Sequence, residues 1–81
     1  AACFGPHRAA ASLLLVSPDA EDRLDAARRA LPAAPAEAGA SAWNGLLTAR
    51  FLAPSAAELR RALLPVLAAL DITPLPRVWQ C

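Results

Sequence analysis

The chain has 81 residues, a formal net charge of +1 and eight basic residues, all of them arginine. That length holds one domain at most, and it excludes neither a metal nor a partner as a source of extra stability, since units this small are marginal alone. The arginines alternate with acids at helical spacing, a pattern of solvated helix faces rather than the clustered basic face that nucleic acid selects.

Residues 1–8 read as an irregular lead-in with a turn at Gly5-Pro6. Ala9 to Val16 is a short apolar run ending Leu13-Leu14-Leu15-Val16. Continuous apolarity over so few residues fits a strand covered on both faces. The run is also far shorter than the ~18 residues of a membrane-spanning helix. Ser17-Pro18-Asp19 reads as a helix start, with Ser17 capping free backbone N–H groups and Pro18 at the first helical position, where no needed donor is lost. In the helix behind it, Ala20, Leu24, Ala27 and Leu31 fall on one stripe. Acids crowd its first turn and Arg28 and Arg29 its last, an order that complements the helix dipole. Asp25 has the spacing to pair with Arg29.

After the stiff connector Pro32-Ala33-Ala34-Pro35, two strands, Glu37 to Trp43 and Leu46 to Ala53, flank Asn44-Gly45. Both positions of a tight two-residue hairpin turn need positive φ, which Asn and Gly tolerate best. On the second strand Leu47, Ala49 and Phe51 face one way, and Leu46, Thr48, Arg50 and Leu52 the other. Ser55 and Glu58 form a capping box for a second helix. Its stripe is Leu59, Leu63, Val66, Leu67 and Leu70, interrupted by Pro65, which removes the hydrogen bond to Arg61. From Asp71 the chain is extended, because Pro74 and Pro76 push the preceding residues out of helical geometry.

These elements make an α+β fold: a strand-helix-hairpin-helix unit with a small mixed sheet and two helices on one face, followed by an extended tail over residues 71–81. A right-handed crossover sets the first two strands parallel, with the third between them, as in half of a ferredoxin-like fold. Hydrophobic residues make up 57% of the chain, but alanine inflates that figure. With two Trp, two Phe, no Tyr and no Met, the core is thin and reads as completed by another surface. The opening Ala1, in place of Met, reads as the start of a piece of a longer polypeptide.

Catalytic chemistry finds little to work with. The one histidine, His7, lies in the lead-in, no nucleophile–base pair shares an element, and the three glycines are not clustered into a phosphate loop. Cys3, His7 and Cys81 have permissive ligand chemistry but not diagnostic spacing. The bland reading of the two cysteines is a pair of free thiols in a reducing compartment. Trp43 reads as the cap of one edge of the core. Trp79, in a tail that also carries Arg77, either docks on its own sheet or anchors a partner.

Three stretches resemble one family. They are Ala11-Ser12-Leu13-Leu14-Leu15-Val16-Ser17-Pro18-Asp19-Ala20-Glu21; Gly39-Ala40-Ser41-Ala42-Trp43-Asn44-Gly45-Leu46-Leu47-Thr48-Ala49-Arg50; and Leu59-Arg60-Arg61-Ala62-Leu63-Leu64-Pro65 with the terminal Leu75-Pro76-Arg77-Val78-Trp79. Over nearly its whole length the chain is similar to the C-terminal portion of urease accessory protein D (UreD, or UreH in some bacteria). The family more often has a basic, glycine-containing link where this chain has Asp71-Ile72-Thr73-Pro74.

The resemblance implies a non-catalytic, cytoplasmic role in urease maturation, with urease apoprotein and accessory proteins F and G as partners and nickel as cargo rather than as a cofactor bound here. It implies neither nucleic-acid nor membrane binding. It implies a longer, β-rich parent protein, on whose remaining part Leu46 and Leu52 would pack. It marks Arg50, Arg77 and Trp79 as motif residues, leaving open whether each is structural or partner-facing. The alternative is a stand-alone ferredoxin-like domain that binds a ligand or dimerises through its sheet.

Overall fold

A computed structural model describes residues 6–80. Chain order is β1 (Ala9–Val16), α1 (Ala20–Arg29), β2 (Glu37–Trp43), β3 (Leu46–Ala53), α2 (Ala56–Ala69) and β4 (Val78–Gln80). The strands form one sheet in the order β2-β3-β1-β4. The α+β class read from the sequence holds, with both helices against one sheet face and β3 between β1 and β2. β1 and β2 run in the same direction, as a right-handed crossover requires. They never share a ladder, however, because β3 separates them, and every neighbouring pair is antiparallel. The sheet is therefore antiparallel where the crossover alone suggests a mixed one.

The hairpin forms because Asn44 and Gly45 take φ of 53° and 80°, the pair of positive values that matches the twist of the flanking strands. A Cβ at Gly45 would also come within 3.4 Å of the Ser17 carbonyl oxygen. The Ser17 N–H donates to the Gly45 carbonyl at 2.9 Å, tying the end of β1 to the turn. The tail contributes a strand not foreseen as one: Val78–Gln80 pairs with Ala11, Ala10 and Ala9 in turn. The order of six elements is that of a complete split β-α-β unit of the ferredoxin-like kind, rather than half of one.

Pleating divides the sheet residues cleanly. Ala9, Ala11 and Leu13 of β1 and Leu47, Ala49, Phe51 and Ala53 of β3 are buried beneath the helices. They meet Ala20 and Ala27 of α1 and Leu59, Leu63, Val66 and Leu67 of α2. Phe51 is the largest fully buried side chain, and the strands around it offer mostly alanine. Small residues let the helices sit close to the sheet, but they bury little area each.

The helix starts differ from their sequence reading in one respect. Ser55 caps α2 as its position suggests, accepting from the Glu58 N–H at 3.2 Å. Ser17 does not cap α1: that helix begins at Ala20 with Asp19 in the cap position and no side-chain cap bond. The Ser17 hydroxyl donates instead to the Asp19 carboxylate. Asp19 also holds Arg23 at 3.2 Å, so the i,i+4 ion pair on α1 is this one and not Asp25 with Arg29. The Ser17 hydroxyl bond, followed by Arg23, lowers the Asp19 pKa below the ordinary carboxylate value. Arg23 reaches on to the Leu70 carbonyl at 2.7 Å, linking α1 to the end of α2.

α2 runs unbroken through Pro65, which lies on its exposed side. At its end Asp71 takes φ of 56°. The Ile72 N–H donates to the Leu67 carbonyl at 2.9 Å and the Asp71 N–H to that of Ala68 at 3.2 Å. This bond pair is the Schellman arrangement, and Ile72 packs against the margin of the core.

Candidate functional site

Among the described residues no layer covers the sheet face opposite the helices, and all three motif residues belong to that face or to its margin. Arg50 lies in mid-sheet, paired across β1 with Ser12 and across β2 with Gly39. These neighbours are too short to screen it, and the guanidinium is exposed. Trp79 stands on β4 opposite Ala10, which in turn pairs with Leu52. The residue is 44% exposed, and the Arg77 guanidinium carbon lies 5.8 Å from the ring centre, within cation–π range. Trp79 therefore sits on its own sheet through its strand and remains partly exposed.

Ser12, Glu37, Gly39, Thr48, Arg50 and Trp79 line a shallow trough of about 840 Å³. The Ser41 and Thr48 hydroxyls hydrogen-bond across β2 and β3 at 3.1 Å within it. At the end nearer the hairpin the face becomes apolar. Val16, Leu46 and Trp43 form one cross-strand row, and Leu14 lies in the row before it. Val16 is 76% exposed, Leu14 65% and Trp43 80%. Trp43 thus does not cap the core. The pleat turns it away from the helices, because Ala42, not Trp43, shares their side of β2. Likewise β1, whose unbroken apolar run suggests cover on both faces, has cover on one.

Glu37 is the carboxylate of this face, at the edge of the trough. His7 Nδ1 approaches it at 3.5 Å, and His7 Nε2 approaches the Pro35 carbonyl oxygen at 3.3 Å. Both ring nitrogens of this buried histidine therefore face protein acceptors. Cys3 and Cys81 lie outside the described residues. Among the described residues no group of three or more His, Cys, Asp or Glu side chains is placed to hold a metal ion. Nor is any helix there long and apolar enough to cross a membrane. In chemical terms the face offers a planar, multi-donor guanidinium suited to carboxylates, set between an aromatic margin and an aliphatic patch.

Comparison with known proteins gives this arrangement a family. The model for the UreD urease accessory protein matches residues 1–80. Urease accessory protein UreD of Xanthobacter autotrophicus Py2 is 58% identical over 78 residues, which cover 96% of this chain and 27% of the relative. The protein of the same name from Azorhizobium caulinodans ORS 571 is 58% identical over 73 residues, covering 90% of this chain and 27% of the relative. That of Methylobacterium sp. 4-46 is 52% identical over 84 residues, covering 98% and 30%. The chain therefore spans little more than a quarter of the length of these relatives. No solved structure gives a significant match. A match over this extent, at this identity, places the chain in the UreD urease accessory protein family.

Proposed function

We propose that this chain is the C-terminal part of a UreD-type protein that serves urease maturation as a non-catalytic, cytoplasmic scaffold. In this reading urease apoprotein and accessory proteins F and G are its partners, and nickel is the cargo delivered to the urease active site. The observation that carries the reading is the family match over residues 1–80, with relatives named urease accessory proteins. The character of the uncovered face supports it. A lone arginine among short hydroxyls, with aromatic and aliphatic margins, is the composition of a contact surface.

Arg50, Arg77 and Trp79 are proposed as the partner-facing or fold-closing positions of the motif. The test is urease activation in a strain lacking the gene, with complementation by wild type and by Arg50→Glu. Loss of activity without loss of urease protein, restored by wild type, is the expected result. Normal activation without the gene overturns the proposal. Co-purification of the UreD-length protein with urease and accessory protein F identifies the partners directly.

One observation favours a second reading. β4 completes a ferredoxin-like unit, as a stand-alone ligand-binding or dimerising domain would require. That reading expects the 81 residues to unfold cooperatively alone and to dimerise with rising concentration.

A further inference from the structure

The hairpin fixes which backbone groups of β2 reach β3. Trp43 and Leu46 flank a two-residue turn, so they exchange both of their backbone hydrogen bonds. Alternation then sends the N–H and C=O groups of Glu37, Gly39, Ser41 and Trp43 toward β3, and those of Ala38, Ala40 and Ala42 away from it. β2 is an edge strand of seven residues. It contains no proline, its register with β3 runs without a bulge, and its one charged residue, Glu37, lies at the end. An edge without such protections is a template for another strand.

One side chain interrupts the outward row. α1 packs over β2 and β3, and from its last turn Arg28 Nη2 donates to the Ala40 carbonyl at 3.4 Å. Ala40 is the middle residue of the row. Arg28 is exposed and makes no ion pair among the described residues. A second copy of this chain would meet the edge in a self-complementary antiparallel register. With a two-fold axis through Ala40, Ala38 faces Ala42 of the second copy and Ala40 faces its own counterpart, so every outward N–H and C=O finds a partner. Gly39 then faces Ser41 and Glu37 faces Trp43, so no like charges meet along the strands. Arg28 is the exception. It reaches the residue on the axis, so pairing would take the Ala40 carbonyl from it and bring the two guanidinium groups together.

We propose that the outer edge of β2 is a self-pairing surface for a second copy of this chain, and that Arg28 holds it closed. A charge beside an edge strand costs little in water and much against another strand, which is how such edges are kept from pairing. Here the charge also occupies the central acceptor of the row. The inference uses only the edge, its register and one arginine. It does not rest on the proposed role in urease maturation, so either can fail alone.

The test places these residues in a UreD-length chain, in exchange for the matching stretch of the Xanthobacter relative, and follows sedimentation over a concentration series. Arg28→Ala should tighten self-association by at least ~10-fold over wild type, because like charges brought together across an interface oppose it strongly. Arg28→Lys keeps the charge and should stay near wild type; if it associates as tightly as Arg28→Ala, the charge is no guard and the proposal fails. Adding Ala40→Pro to Arg28→Ala removes an outward donor while sparing the ladder to β3, and should restore the wild-type value. Unchanged association in Arg28→Ala overturns the proposal, as does a double variant that folds and still associates as tightly as Arg28→Ala. Amide exchange gives a readout independent of the proline variant. In wild type the Ala38, Ala40 and Ala42 N–H groups should exchange fast and those of Gly39 and Ser41 slowly, whereas in associated Arg28→Ala all five should be slow. Slow exchange of all five in the wild-type monomer would mean that the edge is already paired within the chain, and overturns the proposal.

Discussion

Two residues with unusual demands illustrate how single positions are set. Asp71 occupies the left-handed position after α2, φ 56°, which a non-glycine residue adopts at a cost of about 1–2 kcal/mol. The Schellman bonds to Leu67 and Ala68 hold it there. Asp71→Gly should raise stability by about 0.5–1 kcal/mol, less than the full strain because glycine also loosens the unfolded chain. Urea denaturation of the two proteins in parallel checks this. Asp19 makes a pH prediction. Its folded-state pKa is lowered by the Ser17 hydroxyl and Arg23, while the unfolded value is near ~4. Its contribution is therefore fully present above that value and is lost as pH falls through the folded-state pKa. Asp19→Asn should flatten that part of the stability–pH curve, and an unchanged curve would show that the carboxylate contributes nothing.

Elements here are held in place by a few long-range polar links laid over apolar packing. Arg23 is the clearest, since one side chain binds Asp19 on its own helix and the Leu70 carbonyl at the end of α2. The Leu70 carbonyl belongs to a helix terminus, where backbone acceptors lack helical partners. Arg23→Ala should cost about 1 kcal/mol and speed amide exchange in the last turn of α2. Lysine should restore only part of this, since it lacks the fork that serves two acceptors at once. The second helix shows why Pro65 is tolerated. It lies on the exposed side, where water can satisfy the carbonyl that loses its donor. The buried stripe of Leu59, Leu63, Val66 and Leu67 continues past it.

At the scale of the molecule, the two sheet faces have opposite standing. The helix-side core concentrates its large residues around Phe51, Leu47, Leu59 and Leu63, so truncations there create cavities. Leu63→Ala should cost about 2–5 kcal/mol, whereas its exposed neighbour Leu64, 57% accessible, should change stability by less than about 0.5 kcal/mol on truncation to alanine. Unfolding midpoints of the two variants decide it. Similar losses at both positions would mean that α2 is covered on its outer side as well. The open face, with Val16 and Trp43 projecting from it, adds little to the stability of this unit alone. Its apolar residues acquire energetic weight only when another surface removes them from water.

Much of the fold is legible in residues a few positions apart. The bounds of β1, β2 and β3 follow from the apolar run, from alternation and from Asn44-Gly45, and the helical stripes follow from their spacing. These signals are local, because hydrogen bonds within a turn and the direction of neighbouring side chains depend on nearby residues. The family motif around Arg50, Arg77 and Trp79 is equally present in the sequence, although its position on a shared uncovered face is not. Tertiary structure alone decided that Val78–Gln80 closes the sheet against Ala9–Ala11, residues at the opposite end of the chain. It likewise decided that Trp43 points away from the core. In each case two local preferences were both available. The choice fell to partners distant in sequence, whose register fixes which face of a strand meets the helices and which is left open.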